Sequence, residues 1–146
     1  MRIRVFVPLI CALLTCVSCK LKQDTKSELF HKTVFVAEGN TPIDMDVTEL
    51  ERYDRYSVVR LQCRSGKPTG AALTFGSVLC EMGRARGAAY LTNLREWDDG
   101  KGNRLYIIGF AHTNTVNPRV YFGLSGDIVA DPVFLSVADW EPLRLK

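Results

Sequence analysis

The sequence predicts an α+β fold: a mainly antiparallel sheet of about five to seven strands with one or two helices packed on it. The main observation is the stretch 88–113, in which two apolar, aromatic runs flank the turn-forming residues 98–103, as in a β-hairpin. Short runs of alternating polarity elsewhere in the chain add further strands. Because 47% of the 146 residues are hydrophobic and 10% are aromatic, the chain has enough apolar surface for one packed domain.

The N-terminal segment has the features of a secretory signal. A short basic start leads into the apolar stretch 5–17, which is shorter than the about 20 residues needed to span a bilayer. We therefore expect residues 1–18 to be a signal peptide. Of the 19 basic side chains, Arg2 and Arg4 fall in this segment, which leaves 17 against 16 acidic side chains. This near-neutral balance argues against nucleic acid as a partner.

The signal segment ends in Cys16-Val-Ser-Cys19, which resembles the lipobox of bacterial lipoproteins. In that family small residues precede a cysteine that is lipidated and becomes the new N-terminus. The resemblance implies that Cys19 carries a palmitate-type lipid, and Lys20 in place of Asp implies the periplasmic face of the outer membrane. Cys16 departs from the pattern, since the family usually has Leu there. The alternatives are lipidation at Cys16, an uncleaved segment, and ordinary secretion after a cut behind Ser18, which would give a soluble periplasmic or secreted protein.

The cysteine count predicts a disulfide. Of five cysteines, Cys11 and Cys16 leave with the signal peptide and Cys19 takes the lipid. Cys63 and Cys80 remain, and an even pair in an oxidising compartment favours a bridge, which would contribute about 3 kcal/mol in the chain-entropy description. Two free thiols and a catalytic cysteine are the alternatives. A zinc site is not expected, because no pair of histidines lies near these cysteines, and we expect no metal or other cofactor.

Residues 19–32 are polar and mixed in charge, which predicts a flexible tether between the lipid and the domain. The single globular domain then comprises residues 33–146. Its first strand is expected at 33–37 and its second at 43–47, where two aspartates alternate with apolar residues. Solvated strand carboxylates explain these aspartates better than a cation site does.

The next predicted elements are a short helix and a strand. Thr48 and Glu51 form a capping-box pattern, which predicts a helix over 49–56. The alternation in residues 57–63 predicts a strand. Further strands are expected at 119–124 and at 133–137, after the hairpin.

A second helix is predicted over 78–86, between the strand at 57–63 and the hairpin. Ser77 would be its N-cap, and Gly87 would take the left-handed position after its last turn. The segment 71–75 before it fits either a strand or a helix.

Two features of the helix at 78–86 concern its packing and its charge. Gly83 lowers helix propensity, so we expect it to allow close packing. Arg84 and Arg86 lie where the helix dipole favours cations, and they suggest an anion site only weakly.

The tip of the hairpin is the predicted surface for a partner. Trp97, Asp98 and Asp99 precede a glycine-rich turn, and an exposed Trp is a frequent centre of protein binding. Asp and Asn alternate with Gly there as in calcium loops, but the glutamate at the twelfth loop position is missing. A plain turn with glycines at positive φ accounts for the sequence.

No set of catalytic residues is assembled by the sequence, so we expect a protein that is not an enzyme. The functional hypothesis is an envelope lipoprotein whose domain binds another protein, as an inhibitor, an immunity factor, a sensor or an assembly component. One alternative is a small periplasmic hydrolase that uses His112 with a nearby Asp, Ser or Thr. The other is a ligand-binding or metal-binding module.

Overall fold

The structure is a computed structural model that describes residues 28–37, 41–124, 126, 128–129 and 131–140. The predicted signal peptide, Cys19 and most of the predicted tether lie outside the described residues. The elements, in chain order, are β1 (His31–Val36), β2 (Ile43–Arg52), β3 (Tyr56–Ser65), α1 (Pro68–Ala85), β4 (Tyr90–Asp98), β5 (Arg104–Ala111), α2 (Pro118–Phe122) and β6 (Phe134–Ser136). No helix in the described part of the chain is long and apolar enough to cross a bilayer.

The strands form one curled antiparallel sheet in the order β1-β2-β3-β5-β4-β6. The prediction of a mainly antiparallel sheet of five to seven strands is therefore confirmed. The hairpin is confirmed too, since β4 pairs with β5 from Tyr90 opposite Ala111 to Asp98 opposite Arg104. The strands predicted at 33–37, 43–47, 57–63 and 133–137 correspond to β1, β2, β3 and β6, although β1 begins before residue 33.

The predicted helix over 49–56 is wrong, because β2 continues as a strand to Arg52. The alternation that buries Met45 and Val47 also buries Glu49, so the strand period does not end at residue 47. The Thr48 hydroxyl donates to Asp46 Oδ2 at 3.1 Å instead of capping a helix. Hydrogen bonds from Arg52 and Ser57 to the buried Glu49 carboxylate hold the strand in place.

Helix α1 begins well before the predicted start at residue 78. Pro68 occupies the first turn, where its missing N–H costs nothing. The segment 71–75, for which the sequence allows either a strand or a helix, is helical. At the other end Gly87 has a φ of +68°, its N–H donates to Arg84 O, and the Ala88 N–H donates to Gly83 O. The prediction that Gly87 takes the left-handed position is therefore confirmed.

The predicted strand over 119–124 is wrong, since α2 occupies Pro118–Phe122. Asn117 Oδ1 accepts from the N–H groups of Arg119 and Val120 at 3.1 and 3.3 Å, and Pro118 sits in the first turn. An Asn cap followed by Pro is a strong helix start, and it overrides the strand preference of the apolar residues that follow.

The sheet has a hydrophobic core on each face. On one face α1 contributes Phe75, Val78, Leu79 and Met82 to a cluster with residues of β2 to β5. Gly83 permits the close approach that the sequence predicts, because a Cβ there would lie 3.1 Å from Val137 Cγ2. On the opposite face Phe122 of α2 covers part of the sheet together with Tyr56 and Leu94. A Cβ on Gly109 would lie 2.5 Å from Phe122 Cζ, so the ring rests directly on the β5 backbone.

The predicted disulfide between Cys63 and Cys80 is not formed in the structure, where both thiols are free. Cys63 is exposed near the end of β3, and its Sγ donates to Ser65 O at 3.4 Å. Cys80 lies in the middle of α1 on the face that enters the core, and its burial raises the pKa of its thiol. An oxidising compartment favours a bridge, but Cys63 is exposed, Cys80 is buried, and no described cysteine pair is at disulfide distance.

Candidate functional site

The face of the sheet opposite α1 is partly uncovered, and Trp97 lies on it. The register aligns one residue from each of five strands in a row across this face: Trp97, Leu105, Arg60, Thr48 and His31. Phe35, further along β1, has the same orientation as His31 and is 67% exposed. We call these six residues the open face.

Asp46 forms hydrogen bonds with the polar side chains around it on the open face. Its Oδ1 accepts from the Thr33 hydroxyl and contacts His31 Nε2, each at 2.7 Å, while Oδ2 accepts from Thr48. Burial would raise the pKa of Asp46, but hydrogen bonds from Thr33, His31 and Thr48 outweigh it and lower the pKa.

Asp44, two residues before Asp46, is paired with Arg64. Arg64 donates from Nε and Nη2 to the two carboxylate oxygens at 3.0 and 2.6 Å. This bidentate bond lowers the pKa of Asp44. Both strand aspartates therefore have protein partners in the structure.

The three residues predicted as a partner surface differ in their environments. Trp97 is 37% exposed, with the Arg95 guanidinium 5.6 Å from its ring centre. The Asp98 side chain is 73% exposed and lies 3.5 Å from Arg104 Nε. Asp99 instead accepts from the Lys101 and Asn103 N–H groups and from the Asn103 amide.

The hydrogen bonds of Asp99 shape the turn of the hairpin. The bond from the Asn103 amide is the main reason that the pKa of Asp99 lies below its usual value. Gly100 and Gly102 have positive φ, as the plain-turn interpretation predicts. Of the three predicted partner-surface residues, Trp97 and Asp98 therefore face solvent, and Asp99 holds the turn.

A buried carboxylate that the sequence did not single out accepts several hydrogen bonds. The Glu49 carboxylate is fully buried and accepts from Arg52, from the Ser57 hydroxyl at 2.5 Å and from the Phe30 N–H at 2.8 Å. Arg86 Nη1 adds a contact at 3.3 Å. We call Glu49, Arg52, Ser57 and Arg86 the buried charge cluster.

The partners of Glu49 keep it ionised. Burial alone would raise the pKa of Glu49, but hydrogen bonds from Arg52, the Phe30 N–H and Ser57 outweigh burial and lower the pKa. The cluster contains one carboxylate and two guanidinium groups. It lies where β2, β3 and the C-terminus of α1 meet.

A small cleft opens beside Arg86 at this end of the sheet. It has a volume of about 170 Å³ and is lined by Asp54, Arg55, Arg86, Ala88, Phe110, Ala111, His112 and Tyr121. His112 is exposed at its edge and makes no hydrogen bond with the described residues. None of the described lining residues is Ser, Thr or Cys, so His112 shares the cleft with one carboxylate and no hydroxyl or thiol nucleophile of those types.

The two arginines near the C-terminus of α1 have different contacts. Arg84 donates to the backbone oxygens of Val137 and Trp140 at 3.3 and 2.9 Å, so it fastens the chain after β6 to α1. Arg86 instead joins the buried charge cluster and lines the cleft. The weak suggestion of an anion site therefore applies to Arg86 and not to Arg84.

Comparison with known proteins gives no relative for this chain: no protein-family model, curated protein or solved structure matches it significantly.

Proposed function

We propose that this chain is a non-enzymatic envelope lipoprotein whose domain binds another protein through the open face. The observation that carries the proposal is the sheet face on which Trp97 and Phe35 stay exposed while α1 covers the opposite face. We also infer that the fold belongs to the α+β class, with α1 as the packed helix. An inhibitor, an immunity factor, a sensor and an assembly component would all use such a surface.

The dimensions of the open face suit a protein partner. The row from Trp97 to His31 crosses five strands. Neighbouring strands lie about 4.8 Å apart, so the four spacings give the row a length of about 19 Å. Phe35 extends the face further along β1. A typical stable interface buries about 800 Å² on each partner, and a surface of these dimensions can supply a large part of that area.

The chemistry of the open face also resembles that of protein interfaces. Trp, Phe and Arg are enriched where proteins bind one another, and Trp97 with the adjacent Arg95 combines two of these types. The hydrogen bonds around Asp46 fix the polar side chains on β1 and β2 before binding, which lowers the entropy cost of ordering them.

A pull-down from cross-linked envelopes tests the binding surface. The full chain should retain a stoichiometric protein, and Trp97→Ala should lose most of it, since truncation of a central Trp typically costs 2 kcal/mol or more, roughly thirtyfold in affinity. Leu73→Ala is the matched control, because Leu73 is 41% exposed on α1, away from the open face. Equal retention by Trp97→Ala and Leu73→Ala would contradict the proposed surface.

The anchor is a separate part of the proposal and rests on the lipobox-like segment. Cys19→Ala should abolish incorporation of labelled fatty acid and release the protein from membranes. Continued labelling of the Cys19→Ala variant would show that Cys19 is not the lipidated residue. Residue 19 lies outside the described structure. Fractionation of the inner and outer membranes measures directly where the protein resides.

A further inference from the structure

We propose that the cleft beside Arg86 binds a small oxyanion, either the phosphoryl or the carboxylate group of a solute. Four separate segments build the cleft: the turn between β2 and β3, the C-terminus of α1, the end of β5 and α2. The site is independent of the open face, because Trp97 and Phe35 lie toward the other end of the sheet.

Positive charge dominates the lining of the cleft. Arg55, Arg86 and His112 line it, and Asp54 is the one carboxylate among the described lining residues. The Asp54 side chain is 78% exposed and its Oδ2 is 3.9 Å from Arg55 Nε, so solvent weakens its opposing field. Arg86 is the second guanidinium group of the lining, and its Nη1 lies 3.3 Å from Glu49 Oε1. A concave site with such a lining attracts anions.

Both guanidinium groups are held in place before any ligand arrives. Arg86 donates to the Tyr53 and Asp54 carbonyl oxygens at 2.5 and 3.3 Å, and its guanidinium stacks 4.5 Å from the centre of the Phe110 ring. Arg55 donates from Nη1 to Tyr121 O at 2.6 Å and stacks 4.6 Å from the Tyr121 ring centre. A ligand therefore loses little affinity to the ordering of these side chains.

The donors left for a ligand come from Arg55 and His112. The Nε and Nη2 groups of Arg55 form no hydrogen bond with the described residues, and His112 forms none either. A guanidinium edge matches the paired oxygens of a carboxylate or a phosphate, and the N–H of a nearby imidazole adds a third donor. Arg86 contributes positive charge and a rigid wall of the cleft. At about 170 Å³ the cleft admits one small anionic group.

The two histidines of the chain allow a direct NMR test. The full chain in detergent would be titrated with inorganic phosphate and, separately, with acetate, at constant ionic strength and constant pH. The His112 ring signals should shift saturably with at least one of the two anions, while those of His31, on β1 beside Asp46, should not. A larger response to phosphate would identify a phosphoryl group, and a larger response to acetate a carboxylate.

Variants of two exposed arginines separate the cleft from general charge effects. Arg55→Ala should weaken binding of the responding anion by about tenfold, as expected for the loss of charged hydrogen bonds. Arg119→Ala is the matched control, because Arg119 is an exposed arginine of α2 that does not line the cleft. The Arg119→Ala variant should bind the anion with the affinity of the wild-type chain. Absence of a saturable His112 shift in the wild-type chain, or equal affinities of Arg55→Ala and Arg119→Ala, would overturn the proposal.

Discussion

The two ends of the sheet differ in how they use their charged residues. At the end near the cleft, the buried Glu49 binds both Arg52 and Arg86, and all three side chains are nearly excluded from solvent. At the hairpin end, Asp98 and Arg104 form a loose pair at 3.5 Å with both side chains more than half exposed. Buried charges that share partners are costly to separate, whereas exposed pairs contribute little. The cleft end therefore stabilises the fold, and the hairpin end can change its surface at little cost in stability.

The largest expected effect is the removal of the Glu49 charge. Glu49→Gln removes the buried carboxylate that Arg52 and Arg86 share, and we expect the free energy of unfolding to fall by about 3–5 kcal/mol. Urea denaturation of purified protein measures this loss. The corresponding variant of the hairpin end, Asp98→Asn, should change stability by less than about 1 kcal/mol. Similar losses in the two variants would contradict the contrast between the ends.

The next effect concerns packing at the cleft end. In Gly109→Ala the new Cβ would overlap the Phe122 ring and approach Leu94 Cδ1 at 2.8 Å, so overpacking should cost about 1–3 kcal/mol. Thermal or urea unfolding measures the cost. The double variant Gly109→Ala with Phe122→Leu should lose less than the sum of the two single variants, because the smaller side chain relieves the overlap. Strict additivity would show that Phe122 is not what limits the space above Gly109.

A smaller effect should appear in acid. Because the folded-state pKa of Glu49 lies below its ordinary value of 4.5, the contribution of Glu49 to stability is present above pH 4.5 and is lost as the pH falls through the lower folded-state pKa. Stability should therefore decrease with falling pH below about 4.5, and the decrease should be shallower in Glu49→Gln. Urea titrations at several pH values measure both slopes. Parallel curves would mean that Glu49 does not contribute to the acid sensitivity.

The smallest effect is expected for an exposed ion pair at the hairpin end of the sheet. Arg64→Ala removes the partner of Asp44, and because Arg64 is 43% exposed the loss should be about 1 kcal/mol or less. The difference from wild type should shrink further in high salt, which screens exposed charges. A loss as large as that of Glu49→Gln, or one that salt leaves unchanged, would contradict this account of exposed pairs.

Local signals predicted those parts of the fold that depend on neighbouring residues. The turn residues of 98–103 define the hairpin, and Gly87 ends α1 as its type predicts. The starts of both helices also had local signals, Pro68 for α1 and Asn117-Pro118 for α2. Helix α1 nevertheless begins at Pro68 and not after Ser77, and the apolar residues after Pro118 form a helix and not the predicted strand.

The buried charge cluster could not be predicted from local signals. Its members come from three elements, with Glu49 separated by 8 residues from Ser57 on the next strand and by 37 from Arg86 at the end of α1. A capping-box pattern over Thr48 and Glu51 competed with the strand period, and only the tertiary partners of Glu49 decide between them. The cleft was missed for the same reason, since Arg55, Arg86 and His112 meet only in the folded chain.

The central claim, that the open face binds a protein at Trp97, has a direct test. A photoreactive phenylalanine analogue in place of Trp97 should give one discrete cross-linked protein adduct on irradiation of intact envelopes. The same analogue at Leu73, on α1, should give none. Equal adducts at both positions, or an adduct at position 73 alone, would contradict the claim.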